Sequence, residues 1–207
     1  MKVLLINGSP KSKGCTYTAL CEVAKELEKE NIEAEIFHVG NQPIRGCMAC
    51  GGCSNGSEKC VFNDDTVNIA LEKAKEADGF VFGSPVHYAG ASGMITSFLD
   101  RFFYAGKCFQ YKPGASIVSC RRGGATAAFE QLNKYFTISN MPIVSSQYWN
   151  MVHGNTPEEV KQDLEGMQTM RLLGKNMAWL LNSIEAGKRT GITLPERESR
   201  AVTNFIR

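Results

Sequence analysis

Four apolar residues in a row, Val3-Leu4-Leu5-Ile6, are stopped at once by Asn7-Gly8. A strand with water on one face alternates apolar and polar side chains; an unbroken apolar run suits a strand covered on both faces, as in a parallel sheet. Similar runs return at Gly79-Phe80-Val81-Phe82-Gly83, at Ala115-Ser116-Ile117-Val118-Ser119 and, in shorter form, at Pro142-Ile143-Val144, while Ala34-Glu35-Ile36-Phe37-His38-Val39 reads as a partly alternating strand. Helical spacing fills the intervals. Leu20, Val23, Ala24 and Leu27 share one face of a helix predicted over 16–30, and further helices are predicted over 66–76, capped by Asp64 or Asp65, over 92–104 after a loop at 84–91, and over 124–138. Thr156-Pro157-Glu158-Glu159 opens the last helix with a cap, a first-turn proline and acidic residues, and it runs to about 186 with a break near Glu165-Gly166. Strands alternating with helices imply an α/β fold, with a five-stranded parallel sheet, helices on both faces and right-handed crossovers.

The 207 residues suit a single domain. Two stretches fall outside the alternation: residues 40–65, rich in Gly, Asn, Ser and Cys, and a basic tail at about 190–207. A structureless insertion of that length in a compact domain is usually functional. The tail is open to two readings, a segment that wraps a partner subunit or a frayed terminus. With 23 basic and 21 acidic residues the formal charge is only +2, which argues against general binding to nucleic acid or to a membrane surface. No apolar run approaches the roughly 18–20 residues that span a bilayer, and the first strand runs into a turn without a signal-peptide cleavage site. A cytoplasmic location is the expectation.

In an open parallel sheet, ligands bind beyond the carboxyl ends of the strands, where the strand order reverses. Three unusual loops belong to that edge. The first runs from Asn7-Gly8-Ser9-Pro10 to Thr16-Tyr17-Thr18; Gly8 and Gly14 permit close backbone approach, and the hydroxyls of Ser9, Ser12, Thr16 and Thr18 join helix-start N–H groups in a candidate anion site. It matches neither the dinucleotide fingerprint nor the P-loop, and taken alone it also fits a polar turn with a cap. The second, Gly83-Ser84-Pro85-Val86-His87-Tyr88-Ala89-Gly90-Ala91-Ser92-Gly93, can lie against a planar heterocycle, although His87 reads equally well as a structural hydrogen-bonder. The third, Ser119-Cys120-Arg121-Arg122-Gly123-Gly124-Ala125, offers close approach and positive charge.

Together these loops resemble those of the NADPH-dependent FMN reductase family, within the flavodoxin-like superfamily, over residue 1 to about 186. Gly8-Ser9-Pro10 with Gly14-Cys15-Thr16 matches the phosphate loop of the family, Gly83-Ser84-Pro85-Val86-His87-Tyr88 followed by Leu99-Asp100-Arg101 its flavin-ring loop, and Gly123-Gly124 the loop at the far edge of the ring. Cys15 departs from the Asn common in relatives, which removes one phosphate donor. The resemblance implies a flavodoxin-like three-layer sandwich that binds FMN. Ser9, Lys11, Gly14, Cys15, Thr16 and Thr18 would surround the phosphate. Pro85, Val86, His87 and Tyr88 would flank the isoalloxazine, and Arg122, Gly123 and Gly124 would contact its rim. It further implies NAD(P)H as hydride donor, a small-molecule or protein electron acceptor, and a homodimer or homotetramer; Phe102-Phe103-Tyr104 are a candidate surface for it, and the helix over 92–104 could equally bury those aromatics in its own core. The flavin supplies the chemistry, so no residue is assigned an acid–base role. An FMN electron carrier that does not turn over nicotinamide, and a regulatory protein built around the cysteines, are the competing functions.

Eight cysteines are many for a reducing compartment. Cys15, Cys21, Cys108 and Cys120 are scattered and read as small buried apolar residues. Cys47, Cys50, Cys53 and Cys60 form C-x2-C-x2-C-x6-C. This spacing opens like a ferredoxin run and resembles the compact motif of iron–sulfur flavoproteins, which carry FMN and a [4Fe-4S] cluster. Structural zinc, free thiols and a redox disulfide stay open beside it. As an insertion after the second strand, the motif is expected to fold over the flavin, within reach for electron transfer.

Overall fold

The computed structural model describes residues 1–199 and 201–203. Arg200 and residues 204–207 of the basic tail lie outside the described residues. The elements follow in the order β1 (Lys2–Asn7), α1 (Cys15–Lys29), β2 (Glu33–His38), α2 (Val67–Glu76), β3 (Gly79–His87), β4 (Gly90–Ala91), α3 (Gly93–Ala105), β5 (Gly114–Cys120), α4 (Ala125–Ile138), β6 (Met151–His153), α5 (Pro157–Gln162) and α6 (Leu164–Arg189). β2, β1, β3, β5 and β6 pair in that order, all parallel. The chain steps to one side of β1 to make β2 and to the other to make β3, so the order reverses between β1 and β3.

Period-two alternation sorts the strand side chains into two cores. Leu4, Ile6, Phe80, Phe82 and Val118 face α2, α3 and α4. Val3, Leu5, Val81, Ile117 and Val152 face α1, α5 and α6. This is the three-layer flavodoxin-like sandwich, and it explains why β1 is apolar without a break: all four residues from Val3 to Ile6 are fully buried. α6 packs closely on α1, because a side chain at Gly174 would meet the Val23 carbonyl at 2.8 Å.

Several boundaries differ from the expected ones. β3 does not end at Gly83 but runs to His87, through the segment expected as loop. Phe80 N–H bonds toward β5 and the Gly83 carbonyl accepts from Gly8, so alternation turns the Pro85 nitrogen to the β1 flank, past the last β1 pair. A proline is tolerated there because no ladder bond is lost. The fifth strand of the sheet is Met151–His153; the expected strand at Pro142-Ile143-Val144 makes only a single bridge, Ile143 to Gly114. An apolar run of three residues is too short to tell these apart. The final helix breaks at Asp163, not at Glu165-Gly166: Thr156 caps α5, and the Asp163 carboxylate caps α6 by accepting from Gly166 N–H at 2.9 Å. Of the three aromatics open to either a surface or a core place, Phe102 is fully buried, Phe103 is half-buried and Tyr104 is exposed. Among the scattered cysteines only Cys120 is buried, while Cys15, Cys21 and Cys108 are half-buried.

Phe82 lies under the β1–β3 junction, stacked on Phe136 at 5.1 Å and edge-on to Phe102 and Phe103. Phe82→Ala should remove about 3–5 kcal/mol of stability. In chemical denaturation the midpoint should fall while the slope stays unchanged.

Candidate functional site

Asn7, the last residue of β1, is fully buried and shapes the loop that follows it. Its Oδ1 accepts from Ser9 N–H at 3.1 Å and its Nδ2 donates to the Ser12 carbonyl at 3.1 Å, so one amide folds both arms of the turn inward. His38, at the end of β2, bonds the Ser9 carbonyl through Nε2 at 2.9 Å; a carbonyl only accepts, so that nitrogen carries the proton. Neither residue stands among the sequence-based site residues. A buried Asn at a strand end is the one signal that could have marked the first.

The loop delivers the chain to the start of α1, where Gly14 is the N-cap and no side chain bonds the first turn. The leading N–H groups of the helix therefore point outward, as an anion site requires. Ser9 Oγ accepts from Lys11 N–H at 3.1 Å and keeps its own proton to donate. Thr16 is buried and shares one bond with Ser119 at 2.8 Å, which ties α1 to the end of β5. Thr18 Oγ donates to the Gly14 carbonyl at 3.1 Å, so its proton is spent within the helix and it contributes no donor to an anion. The Cys15 thiol turns away toward the Gly154 carbonyl at 3.7 Å, and burial raises its pKa; at this position only the backbone N–H faces the loop. Lys11 is exposed beside it.

The second loop is a hairpin. β3 and β4 pair antiparallel at Val86–Ala91 and His87–Gly90, and the two residues between, Tyr88 and Ala89, have φ of 47° and 60°. Positive φ at both central positions is the type I′ turn, which normally demands Asn or Gly. Holding Tyr there is strained, and such strain collects at ligand sites. Tyr88 is fully exposed, outside either core, and His87 is exposed beside it. Ser84 and Ser92 brace the hairpin against the first loop: Ser92 N–H bonds Ser84 Oγ and Ser92 Oγ–H bonds the Gly8 carbonyl, both at 3.0 Å.

The third loop touches the second at Gly124, whose φ is +87°; a Cβ there would stand 2.5 Å from Ala89 Cα. Gly123 has open space over it, and Arg121 and Arg122 are exposed. The three loops thus meet at the strand-order reversal. Across 8–16, 84–92 and 120–124 they carry Lys11, Lys13, Arg121 and Arg122 and no carboxylate.

The insertion lies elsewhere. Cys47, Cys50, Cys53 and Cys60 line one cavity of about 170 Å³, closed by Val61, Phe62 and the α3 residues Arg101, Tyr104 and Ala105. Arg101 is about 14 Å along the helix from Ser92, at about 1.5 Å per residue. The cysteine cavity is therefore walled by the C-terminal half of α3, away from the Ser92 end that braces the first two loops. A single 3-10 turn at Gly52–Asn55 is its one regular element, and Ala49, Gly51, Gly56 and Glu58 all take positive φ. Cys47 and Cys50 are exposed, Cys53 and Cys60 half-buried, and all four are free. Among the described residues no three of His, Cys, Asp and Glu are gathered tightly enough to grip one metal ion. A cubane cluster takes one thiolate at each of four corners and needs them spread around a cavity.

Arg101 holds this insertion in place. Its guanidinium is 1% exposed and donates to the Arg45 carbonyl at 3.1 Å, the Phe62 carbonyl at 3.2 Å, Cys60 Sγ at 3.1 Å and both oxygens of Asp65. Burial opposes its charge, but Asp65 and Cys60 outweigh that and raise its pKa. A groove of about 880 Å³ lies at the C-terminal ends of α3 and α4, at the opposite end of the sheet from the three loops.

Comparison with known proteins places the fold and the family. The model of the NADPH-dependent FMN reductase family matches residues 1–156. An iron–sulfur flavoprotein of Methanocaldococcus jannaschii is 31% identical over 194 residues, covering 89% of this chain and all of that protein. An FMN-dependent NADPH-azoreductase of Staphylococcus saprophyticus is 40% identical over 101 residues, 48% of this chain and 51% of the other. A WrbA-like flavodoxin of Agrobacterium tumefaciens superposes with a TM-score of 0.61 at 16% identity, covering 88% of this chain and 97% of that one, which shows the shared fold. The chain belongs to the NADPH-dependent FMN reductase family of flavin oxidoreductases.

Proposed function

We propose that this protein takes hydride from NAD(P)H onto FMN bound at the strand-order reversal, and that it holds a [4Fe-4S] cluster on Cys47, Cys50, Cys53 and Cys60 and passes electrons to a small-molecule or protein acceptor. The observation that carries the flavin site is the uncapped start of α1, facing loops with four cationic side chains and no carboxylate. The Ser9 hydroxyl and the N–H groups of Cys15 and Thr16 donate to the phosphate, and Lys11 adds charge. Val86, His87 and the exposed Tyr88 offer backbone and ring beside the isoalloxazine, with Arg122, Gly123 and Gly124 at its rim. FMN supplies the redox chemistry, accepting a hydride and releasing electrons. The residues bind, orient and tune charge.

The nicotinamide donor is supported by the azoreductase relative, whose name states NADPH. The cluster is supported by the four cysteines that line one cavity and by the name of the archaeal relative.

Anaerobically purified protein should be yellow, and NADPH or NADH should bleach its flavin band. A flavin that resists both nucleotides yet accepts electrons from dithionite would assign the protein to the electron carriers. Asn7→Leu leaves Ser9 N–H and the Ser12 carbonyl unpaired, at a cost of about 1–3 kcal/mol. If that cost falls on the bound form, the FMN Kd rises about tenfold, each tenfold being about 1.4 kcal/mol. Flavin fluorescence titration reads this, and an unchanged Kd would remove Asn7 from the site. Cys50→Ser should lose iron and acid-labile sulfide together while FMN stays bound. Stoichiometric zinc in the wild-type protein would sink the cluster assignment.

A further inference from the structure

We infer that Arg101 is a positioning residue that raises the reduction potential of the cluster through its Nε–H bond to Cys60; this rests on the cluster reading proposed above. The guanidinium has more donors than its scaffolding task needs. Nη1 and Nη2 hold the Arg45 and Phe62 carbonyls and the Asp65 carboxylate, which binds both ends of the insertion to α3. Nε is left over, and it points at sulfur, 3.1 Å from Cys60 Sγ. Among the described residues no side chain donates to the sulfur of Cys47, Cys50 or Cys53. Cys60 is also the cysteine set apart in sequence, and its backbone is pinned by Asn68, which accepts from Cys60 N–H at 2.8 Å and donates to its carbonyl at 2.9 Å. The structure thus fixes one of the four sulfurs in place and gives it alone a charged donor.

Net charge is not what distinguishes this sulfur. Asp65 neutralises Arg101, and the neighbouring Arg45, stacked on Phe62, pairs with Asp64 at 3.2 Å. What remains is the directed N–H dipole in a buried setting. Reduction adds one electron and no proton, and places more negative charge on the sulfurs. A charge-assisted bond strengthens as its acceptor becomes more negative. Hydrogen bonds to cluster sulfurs are an established determinant of potential, and the bond here favours the reduced form.

The test is a potentiometric titration of the holoprotein, with dithionite as one-electron reductant, for wild type, Arg101→Lys, Arg101→Gln and Asp65→Asn. In Arg101 variants that retain iron and sulfide, the reduced-to-oxidised ratio at the wild-type midpoint should fall about tenfold, a shift of about 59 mV for a one-electron couple. Asp65→Asn keeps the Nε donor, so it should not lower the potential even if it weakens iron retention. A full cluster with an unmoved midpoint in the Arg101 variants overturns the inference, as does an equal fall in Asp65→Asn. Should the Arg101 variants lose iron, the wild-type side chain answers instead. With 15N-labelled arginine, pulsed EPR of the reduced protein should show a nitrogen coupling that survives Arg45→Lys, and its absence overturns the inference. Wild-type protein without iron and sulfide removes the cluster reading itself, and this inference with it.

Discussion

β1 and β3 lie side by side with both faces covered, and that burial constrains everything else in the molecule. Their side chains from Val3 to Ile6 and from Phe80 to Phe82 are fully buried, so neither strand has room for a polar group in that stretch. Backbone ladders satisfy the amides within the sheet. Polar chemistry is displaced to the points where the strands end, and Asn7 and Ser84 are the first buried polar residues on the way out. Because strand order reverses here, the loops leaving β1 and β3 diverge to opposite faces and leave a crevice between them. The flavin site is thus a consequence of topology, finished by a few side chains that act mainly on backbone. Asn7 folds the first loop, His38 holds its carbonyl, and Ser92 links it to the hairpin.

The cysteine loop obeys different physics. No sheet supports it, and its one regular element is a four-residue 3-10 turn. Its ends are held by one buried ion pair, Arg101 with Asp65. Taking two charges out of water is costly, and removing one partner alone is costlier than never having had the pair. The guanidinium tolerates this position because carbonyls, a carboxylate and a sulfur surround it. Such an arrangement fixes where the loop attaches to α3 more than it stabilises the domain.

The parts of this molecule legible in the sequence are those where one physical rule acts alone. Unbroken apolar runs meant strands buried on two faces, and Val3-Leu4-Leu5-Ile6 meant a central one. Thr156-Pro157-Glu158-Glu159 meant a helix start, because capping is a local matter. The parts that were not legible depend on partners distant in sequence. Whether Ile143 or Val152 pairs with β5 is decided by where the chain crosses it, not by apolar character. Pro85 stays in a strand only because β1 has already ended beside it. Thr18 and Cys15 carry the right chemistry at the right spacing for a phosphate, yet their side chains are claimed by the Gly14 and Gly154 carbonyls. Arg101 stood out only as part of a motif, since nothing in its neighbours announces that Cys60, 41 positions earlier, is its acceptor.

α3 links the two kinds of site. Ser92 caps its first turn and braces the flavin loops, while Arg101 and Tyr104, farther along, wall the cysteine cavity. A helix is stiff over this length, so the separation between Ser92 at the flavin loops and the α3 wall of the cysteine cavity is set by helical rise and does not close when a loop shifts. The flavin loops come preorganised by the sheet, and a flavin that enters them pays little to order them further. The cysteine loop would gain order from a ligand bound by its thiols, because binding and folding are coupled where the scaffold is irregular. One chain therefore carries two regions of opposite character: flavin loops shaped by the sheet behind them, and a cysteine loop with no regular scaffold beyond one 3-10 turn.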